Sequence, residues 1–212
     1  MSTNKATVNE VVLQGKIKDV FYKDNVTVLT LAVGIELSSR HNFPQVLCFR
    51  DAKKQADQFK KDDSVKITGN IQSSRRNPNI KNQVLVSIFA ETVEAAKSKM
   101  EEAFNVQGAF VKSQNSFCVA GKVSDIELHA SNVCNITVKT YKNGHVSFVR
   151  LVRYMKSPQD SALTIAPDDY VYALGQVQTT KKEENGKFYY YQNYVANENK
   201  KITIQKQIFV LY

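Results

Sequence analysis

The chain matches itself. VVLQGKIKDVFY (Val11–Tyr22) and FCVAGKVSDIEL (Phe117–Leu128) share a G-K-[IV]-x-D-[VI] centre that sets Gly15 against Gly121 and Asp19 against Asp125, an offset of 106 residues. The same offset returns where KKDDSVKITGNIQ (Lys60–Gln72) matches APDDYVYALGQVQ (Ala166–Gln178). Between these stretches VTVLTLAVG (Val26–Gly34) resembles VCNITVKTY (Val133–Tyr141) at an offset of 107. A loop insertion explains the drift, because lengthening a surface loop costs little closure entropy. A unit of about 100 residues, present twice, predicts two small domains of one fold.

Each copy reads mainly as strands. Val11, Leu13, Gly15 and Ile17 alternate with Gln14, Lys16 and Lys18, the period of a half-buried strand, and Phe117, Val119, Gly121 and Val123 repeat it with the same parity. Strand two is expected at Val26–Val33 and Val133–Thr140, and strand three near Phe43–Arg50 and Phe148–Tyr154. RDAKKQADQFKKDD then predicts a short helix with Asp51 as N-cap and Ala52, Ala56 and Phe59 on one side. In the second copy Ser157 is the expected cap, with Pro158 in the first helical position. Strand four follows at Ser64–Gln72 and Tyr170–Gln178, and strand five at Gln83–Ala90 and Phe188–Ala196.

Three strands, a helix and two strands closing on the first is the order of the five-stranded OB barrel. Glycines in strands one and four suit the tight coiling of a small barrel. The expected fold is all-β, with two tandem OB-fold barrels, each carrying a short helix between strands three and four, joined by a helical linker. The expected domains are 1–92, a linker at 93–110 suggested by VEAAKSKMEEAF with Lys97 and Glu101 four apart, 111–200, and a strand or tail at 201–212.

Formal charge is +9 and the pI is near 9.3, an excess that favours polyanionic partners. No apolar run approaches a membrane span and the polar start MSTNKATVNE is unlike a signal peptide, so a soluble cytoplasmic protein is expected. Cys48, Cys118 and Cys134 form an odd set without C-x-x-C spacing, and His41, His129 and His145 add no close ligand pair. Buried reduced thiols, no metal and no cofactor are therefore expected.

Strand three carries the clearest functional signal. Its alternation puts Phe43, Gln45, Leu47 and Phe49 on one face and the better core set, Pro44, Val46 and Cys48, on the other. Two phenylalanines then face outward, where a soluble protein avoids them unless a partner covers them. The alternative sets one of them under a loop or at a subunit contact. In KKEENGKFYYYQNYV the Asn185-Gly186 pair signals a tight hairpin, with Lys181 and Lys182 on one limb and Phe188, Tyr189, Tyr190 and Tyr191 on the other. Two of those four rings are expected on nucleic acid, without a choice of which; the alternative makes them simple strand formers. The equivalent RRNPNIKN is basic without rings and should hold phosphates more than bases.

These stretches resemble the bacterial single-stranded DNA-binding protein family over nearly the whole OB domain of the first copy. The likeness lies in NEVVLQGKIKDVFY, VTVLTLAVG, NFPQVLCFRDAKKQADQFKKDDSVKITGNIQ and VLVSIFAETV, and is weaker in the second copy. The resemblance implies unpaired DNA wrapped over OB surfaces, with bases on aromatic rings and phosphates on Lys and Arg. The family's strand-three aromatics fall on Phe43 and Phe49, and through the repeat on Phe148 and Tyr154, with Arg50 and Arg150 as cations beside them. The family's basic approach to the long hairpin falls on Arg75 and Arg76, and on Lys181 and Lys182. The chain has no tryptophan where the family carries one in that hairpin. It ends KKITIQKQIFVLY, like one more strand, without the family's acidic tip, which is compatible with a phage, a plasmid or an unusual cellular lineage.

The expected function is therefore sequence-tolerant binding and protection of single-stranded DNA during replication, recombination or repair, by a homodimer with four OB folds or by a monomer. RNA is an alternative partner, since OB barrels bind both and recognition of the 2′-OH leaves no signature here. An OB adaptor that meets protein in a replication or conjugation complex is another. No enzyme is expected: P-loop, H-E-x-x-H and G-x-S-x-G are missing, and turn chemistry accounts for Asp62-Asp63 and Asp168-Asp169.

Overall fold

The computed structural model describes residues 7–34, 41–75, 84–96, 113–129, 132–142, 144–155, 157, 160–184, 187–197 and 203–204. Strands β1 (Val8–Tyr22), β2 (Thr27–Gly34), β3 (His41–Asn42) and β4 (Gln45–Cys48) lead into helix α1 (Arg50–Ala56), and β5 (Ser64–Arg75) and β6 (Val84–Ala95) follow. β1 pairs antiparallel with β2 and β5, β5 with β6, and β2 with β4, while β4 runs parallel to β6 and completes the circuit. The result is a closed five-stranded barrel with one helix, an OB fold in which β3 and β4 together make strand three.

The pairings recur in β7 (Gln114–His129), β8 (Val133–Lys142), β9 (His145–Tyr154), β10 (Tyr170–Glu184) and β11 (Lys187–Ala196). β7 pairs with β8 and β10, β8 with β9, and β10 with β11, and β9 runs parallel to β11. A short β12 (Thr203–Ile204) lies against β10. The two circuits meet where β1 runs antiparallel to β7, with Val11 opposite Phe117. Those residues are equivalent under the repeat, so the junction has a local two-fold axis between them.

The expected parity holds through the first half of strand one. Val11, Leu13 and Ile17 are buried, as are Phe117, Val119 and Val123. A β-bulge then interrupts the register between Ile17 and Asp19, and an equivalent one falls between Val123 and Asp125. One extra residue reverses the alternation. Val20 and Ile126 therefore pack on the core, and Phe21 and Glu127 face outward. Just before each bulge the neighbouring chain comes close: a Cβ on Gly15 would lie 2.4 Å from the Ala32 carbonyl oxygen, and one on Gly121 2.2 Å from that of Lys139.

Four local expectations need correction. Strand three of the first copy is not continuous: Phe43 and Pro44 separate β3 from β4, since Pro44 has no N–H to give to a ladder. Helix α1 starts at Arg50, two residues earlier than an Asp51 cap requires. Phe49 holds the N-cap position without a side-chain bond, and Asp51 sits in the first turn beside Lys54 (2.9 Å). In the second copy a single 3₁₀ turn, Ser161–Thr164, replaces the helix. Asp160, not Ser157, caps it by accepting from the Ala162 N–H (3.0 Å), and the Arg153 guanidinium (3.1 Å) holds that carboxylate in place. Finally, Val93 to Ala95 are strand, because their backbones pair with Ile67 to Val65, and the Ala96 N–H donates to the Ser64 carbonyl (2.9 Å); the rest of the expected linker helix, from residue 97, lies outside the described residues.

Candidate nucleic-acid interface

The pairings give an independent test of which residues correspond. Gln45 lies opposite Thr30, which lies opposite Asp19; Arg150 lies opposite Thr137, which lies opposite Asp125. Gln45 and Arg150 are thus equivalent. Counting along the strand from them makes Phe43 equivalent to Phe148 and Phe49 to Tyr154, the correspondence expected from the repeat.

All four rings reach the surface to some degree, and the alternation that aims them outward is visible in the burial of Pro44, Val46 and Cys48 beneath. Phe148 is 41% exposed, Tyr154 48% and Phe49 37%, whereas Phe43 is half-buried beside His41 at a centroid distance of 6.3 Å. Partial burial holds the His41 pKa below the ordinary histidine value. Phe49 is stacked on Phe89, centroids 5.4 Å apart and planes 18° from parallel, so one face of its ring is already covered.

The cations differ between copies. Arg50 is exposed at the start of α1, with φ of 52°. Arg150 is exposed too, but its Nη2 donates to Glu127 Oε2 at 2.7 Å, and His129 Nε2 lies 3.7 Å from the same oxygen. A phosphate arriving there must compete with a carboxylate. In the first copy the position of Glu127 is taken by Phe21, so the corresponding row, Phe21, Val28 and Leu47, is apolar.

The hairpins come to the interface from across the junction. The Phe43 N–H donates to Thr179 Oγ1 of β10 at 2.8 Å, and the Thr179 N–H donates to Asn42 Oδ1 at 2.9 Å. The Gln45 N–H donates to Gln192 Oε1 of β11. Reciprocally, the Phe148 N–H donates to Ser73 Oγ of β5 at 2.8 Å. Ser73 and Thr179 are equivalent under the repeat.

Lys181 pairs with Tyr190, Lys182 with Tyr189 and Glu183 with Phe188, and Glu184 opposite Lys187 leaves residues 185–186 as the connection. Lys181 is exposed, and Tyr191 is 46% exposed opposite Thr180. Arg75 lies opposite Val84 at the end of the paired part of β5 and β6. Arg76 and the Asn185-Gly186 turn lie outside the described residues.

Four exposed rings, Phe21, Tyr22, Tyr141 and Tyr172, escaped the expectations drawn from sequence. Phe21, 55% exposed, has the Lys23 ammonium 5.2 Å above its ring; simple alternation would have buried it, and only the bulge turns it out. Tyr22 (52% exposed) follows it, and its hydroxyl donates to the Phe59 carbonyl at 3.0 Å. Tyr141, 59% exposed, stands opposite Val146 two rows from the Lys139 and Phe148 pair. The Lys139 partnership with Phe148 is a cross-strand register and leaves no local trace.

The aspartate pairs are turn devices. Asp62 and Asp168 share a φ of 75°, their N–H groups donate to Ile17 (2.8 Å) and Val123 (2.9 Å), and Asp63 and Asp169 accept from Lys60 (2.8 Å) and Ala166 (2.9 Å). Among the described residues no group of three His, Cys, Asp or Glu could hold a metal ion, and no helix is long and apolar enough to cross a membrane.

No protein-family model matches this sequence, and no curated protein does. Solved structures do resemble it. A deletion mutant of the single-stranded DNA-binding protein from Thermus aquaticus superposes with a TM-score of 0.65 at 14% identity, over 96% of this chain and 97% of that one. The wild-type protein of that organism gives 0.56 at 14% identity, over 90% of each chain. A Plasmodium falciparum SSB in complex with ssDNA covers 46% of this chain and 94% of its own, at 18% identity and a TM-score of 0.33. At these identities the likeness to the Thermus structures establishes the fold.

Proposed function

We propose that this chain is a sequence-tolerant single-stranded DNA-binding protein made of two OB barrels, acting in replication, recombination or repair, and not an enzyme. The first barrel is taken to Ala95 rather than residue 92, because β6 is continuous to that point. Bases would stack on Phe43, Phe49, Phe148 and Tyr154, and phosphates would meet Arg50, Arg75, Arg76, Arg150, Lys181 and Lys182. Phe188, Tyr189, Tyr190 and Tyr191 supply further ring surface on the second hairpin.

The carrying observation is that equivalent outward positions of strand three hold aromatic rings in both copies, on a chain of charge +9. Unpaired nucleic acid presents flat apolar bases and a charged backbone, so a general binder needs rings for one and cations for the other. Stacking contributes about 1–3 kcal/mol per base whatever the base. Cations add a salt-dependent term by releasing counterions.

Competition of labelled poly(dT) with poly(U) and duplex DNA tests the proposal. Preference for poly(dT) is expected, poly(U) preference would make the protein an RNA binder, and no affinity for any of them at low salt would leave the rings to a protein partner. Light scattering with and without dT oligomers distinguishes a dimer with four barrels from a monomer with two.

A further inference from the structure

We infer that each strand-three ring shares its nucleotide with the hairpin of the other copy: the nucleotide stacked on Phe43 is held by the β10–β11 limb, and the one stacked on Phe148 by the β5–β6 limb. This rests on the single-stranded DNA reading and adds to it which ring and which cation act together. The linear order of the chain suggests the opposite pairing, each hairpin serving its own barrel.

Thr179 and Gln192 are cross-strand partners, and both side chains accept from the backbone of the first copy, at Phe43 (2.8 Å) and at Gln45. That face of the hairpin is therefore turned onto strand three of the first copy. Lys181 follows Thr179 by two residues and so belongs to the same face, and it is exposed. The reciprocal bond from Phe148 to Ser73 (2.8 Å) repeats the contact about the local two-fold, which makes it a property of the junction and not of one loop. Arg75 follows Ser73 by two residues, the position equivalent to Lys181.

A base and its own phosphate are joined through one sugar. A ring and a cation that hold the same nucleotide must therefore lose effect together, whereas groups on different nucleotides act independently. Both sites are incomplete within one copy, so nucleic acid that fills either must bridge the junction.

The test is a set of double-mutant cycles read by titration with a fluorescent dT oligomer, using the full chain. Lys181→Ala should weaken binding by the same factor in the wild type and in Phe148→Ala. In Phe43→Ala that factor should shrink about two-fold or more, the size expected for groups in one network. If the factor shrinks in Phe148→Ala instead, or in neither, the assignment is wrong.

A second measurement needs no DNA. Gln45→Cys with Gln192→Cys should be joined by a short bis-maleimide, located by peptide mapping; failure to join them removes the juxtaposition itself. If they join but the wild type binds no dT oligomer, the DNA reading is lost and the shared nucleotide with it, while the junction geometry stands.

Discussion

Asn9 takes the place of a strand neighbour for Ile71: its Nδ2 donates to the Ile71 carbonyl (2.7 Å) and its Oδ1 accepts from the Ile71 N–H (2.8 Å). β1 and β5 pair from Lys16 opposite Ser64 to Val11 opposite Gly69, and then separate as β1 continues along β7. A carboxamide carries a donor and an acceptor on two adjacent atoms, as a peptide group does, so it satisfies the two backbone groups left by that divergence. Asn115 does the same for Val177, with both distances 2.8 Å.

Replacing Asn9 with Leu should thus destabilise the fold by about 1–3 kcal/mol for each backbone group that loses its partner in a buried setting. Asn9→Asp should also destabilise it, since a carboxylate cannot donate to the Ile71 carbonyl. Urea unfolding followed by circular dichroism measures this, and a midpoint unchanged by either substitution would contradict the role given to Asn9.

Gly121→Ala should be more disruptive than its size suggests. The added methyl would lie 2.2 Å from the Lys139 carbonyl oxygen, a backbone atom that cannot rotate away. Overpacking of this kind costs about 1–3 kcal/mol, and the bulge that follows at Val123 and Asp125 should loosen with it. Thermal unfolding, with hydrogen exchange on β7 and β8, would register the change.

Phe148→Ala should weaken binding to dT oligomers by about 1–3 kcal/mol with the unfolding midpoint unchanged, because the ring is 41% exposed. Phe49→Ala should differ in kind. It breaks the stack on Phe89, so it should lower stability as well as affinity. Equal unfolding midpoints in the two variants would show that the Phe49–Phe89 stack contributes nothing to the fold.

Glu127→Gln should tighten binding. Removing the carboxylate frees the Arg150 guanidinium, now held at 2.7 Å, and removes a negative charge from a face proposed to meet phosphate. One more phosphate neutralised would steepen the salt dependence by about 0.7 in log K against log salt. Affinities measured across a salt series would reveal it, and weaker binding than wild type would be the contrary result.

Cys48 should resist alkylation at pH 8. Burial, assisted by the charge of Asp57, pushes its thiol pKa up to about 12 from 9.0, so the nucleophilic thiolate is scarce in the folded protein. The unfolded chain ionises first as pH rises, so any stability tied to this thiol is complete below about pH 9 and is lost between about 9 and 12. Iodoacetamide labelling with mass spectrometry should find Cys48 modified only on unfolding.

The sequence by itself determined the duplication, through matches repeated at one long offset, and the strand content and the inner face of strand three and of strand one as far as its bulge, because these last follow from spacing within a few residues of chain. Val46 and Cys48 are buried and Phe49 is exposed, as strict alternation requires. The Glu184–Lys187 pairing likewise follows from the short Asn-Gly connection. Tertiary structure decided where alternation fails and which parts meet. A one-residue bulge turns Phe21 outward, and Phe49 caps a helix against Phe89. The Phe43 amide finds its acceptor on Thr179, 136 residues away, in the other copy. Such contacts depend on how two closed circuits of strands dock about a shared axis, and residue spacing carries no term for that.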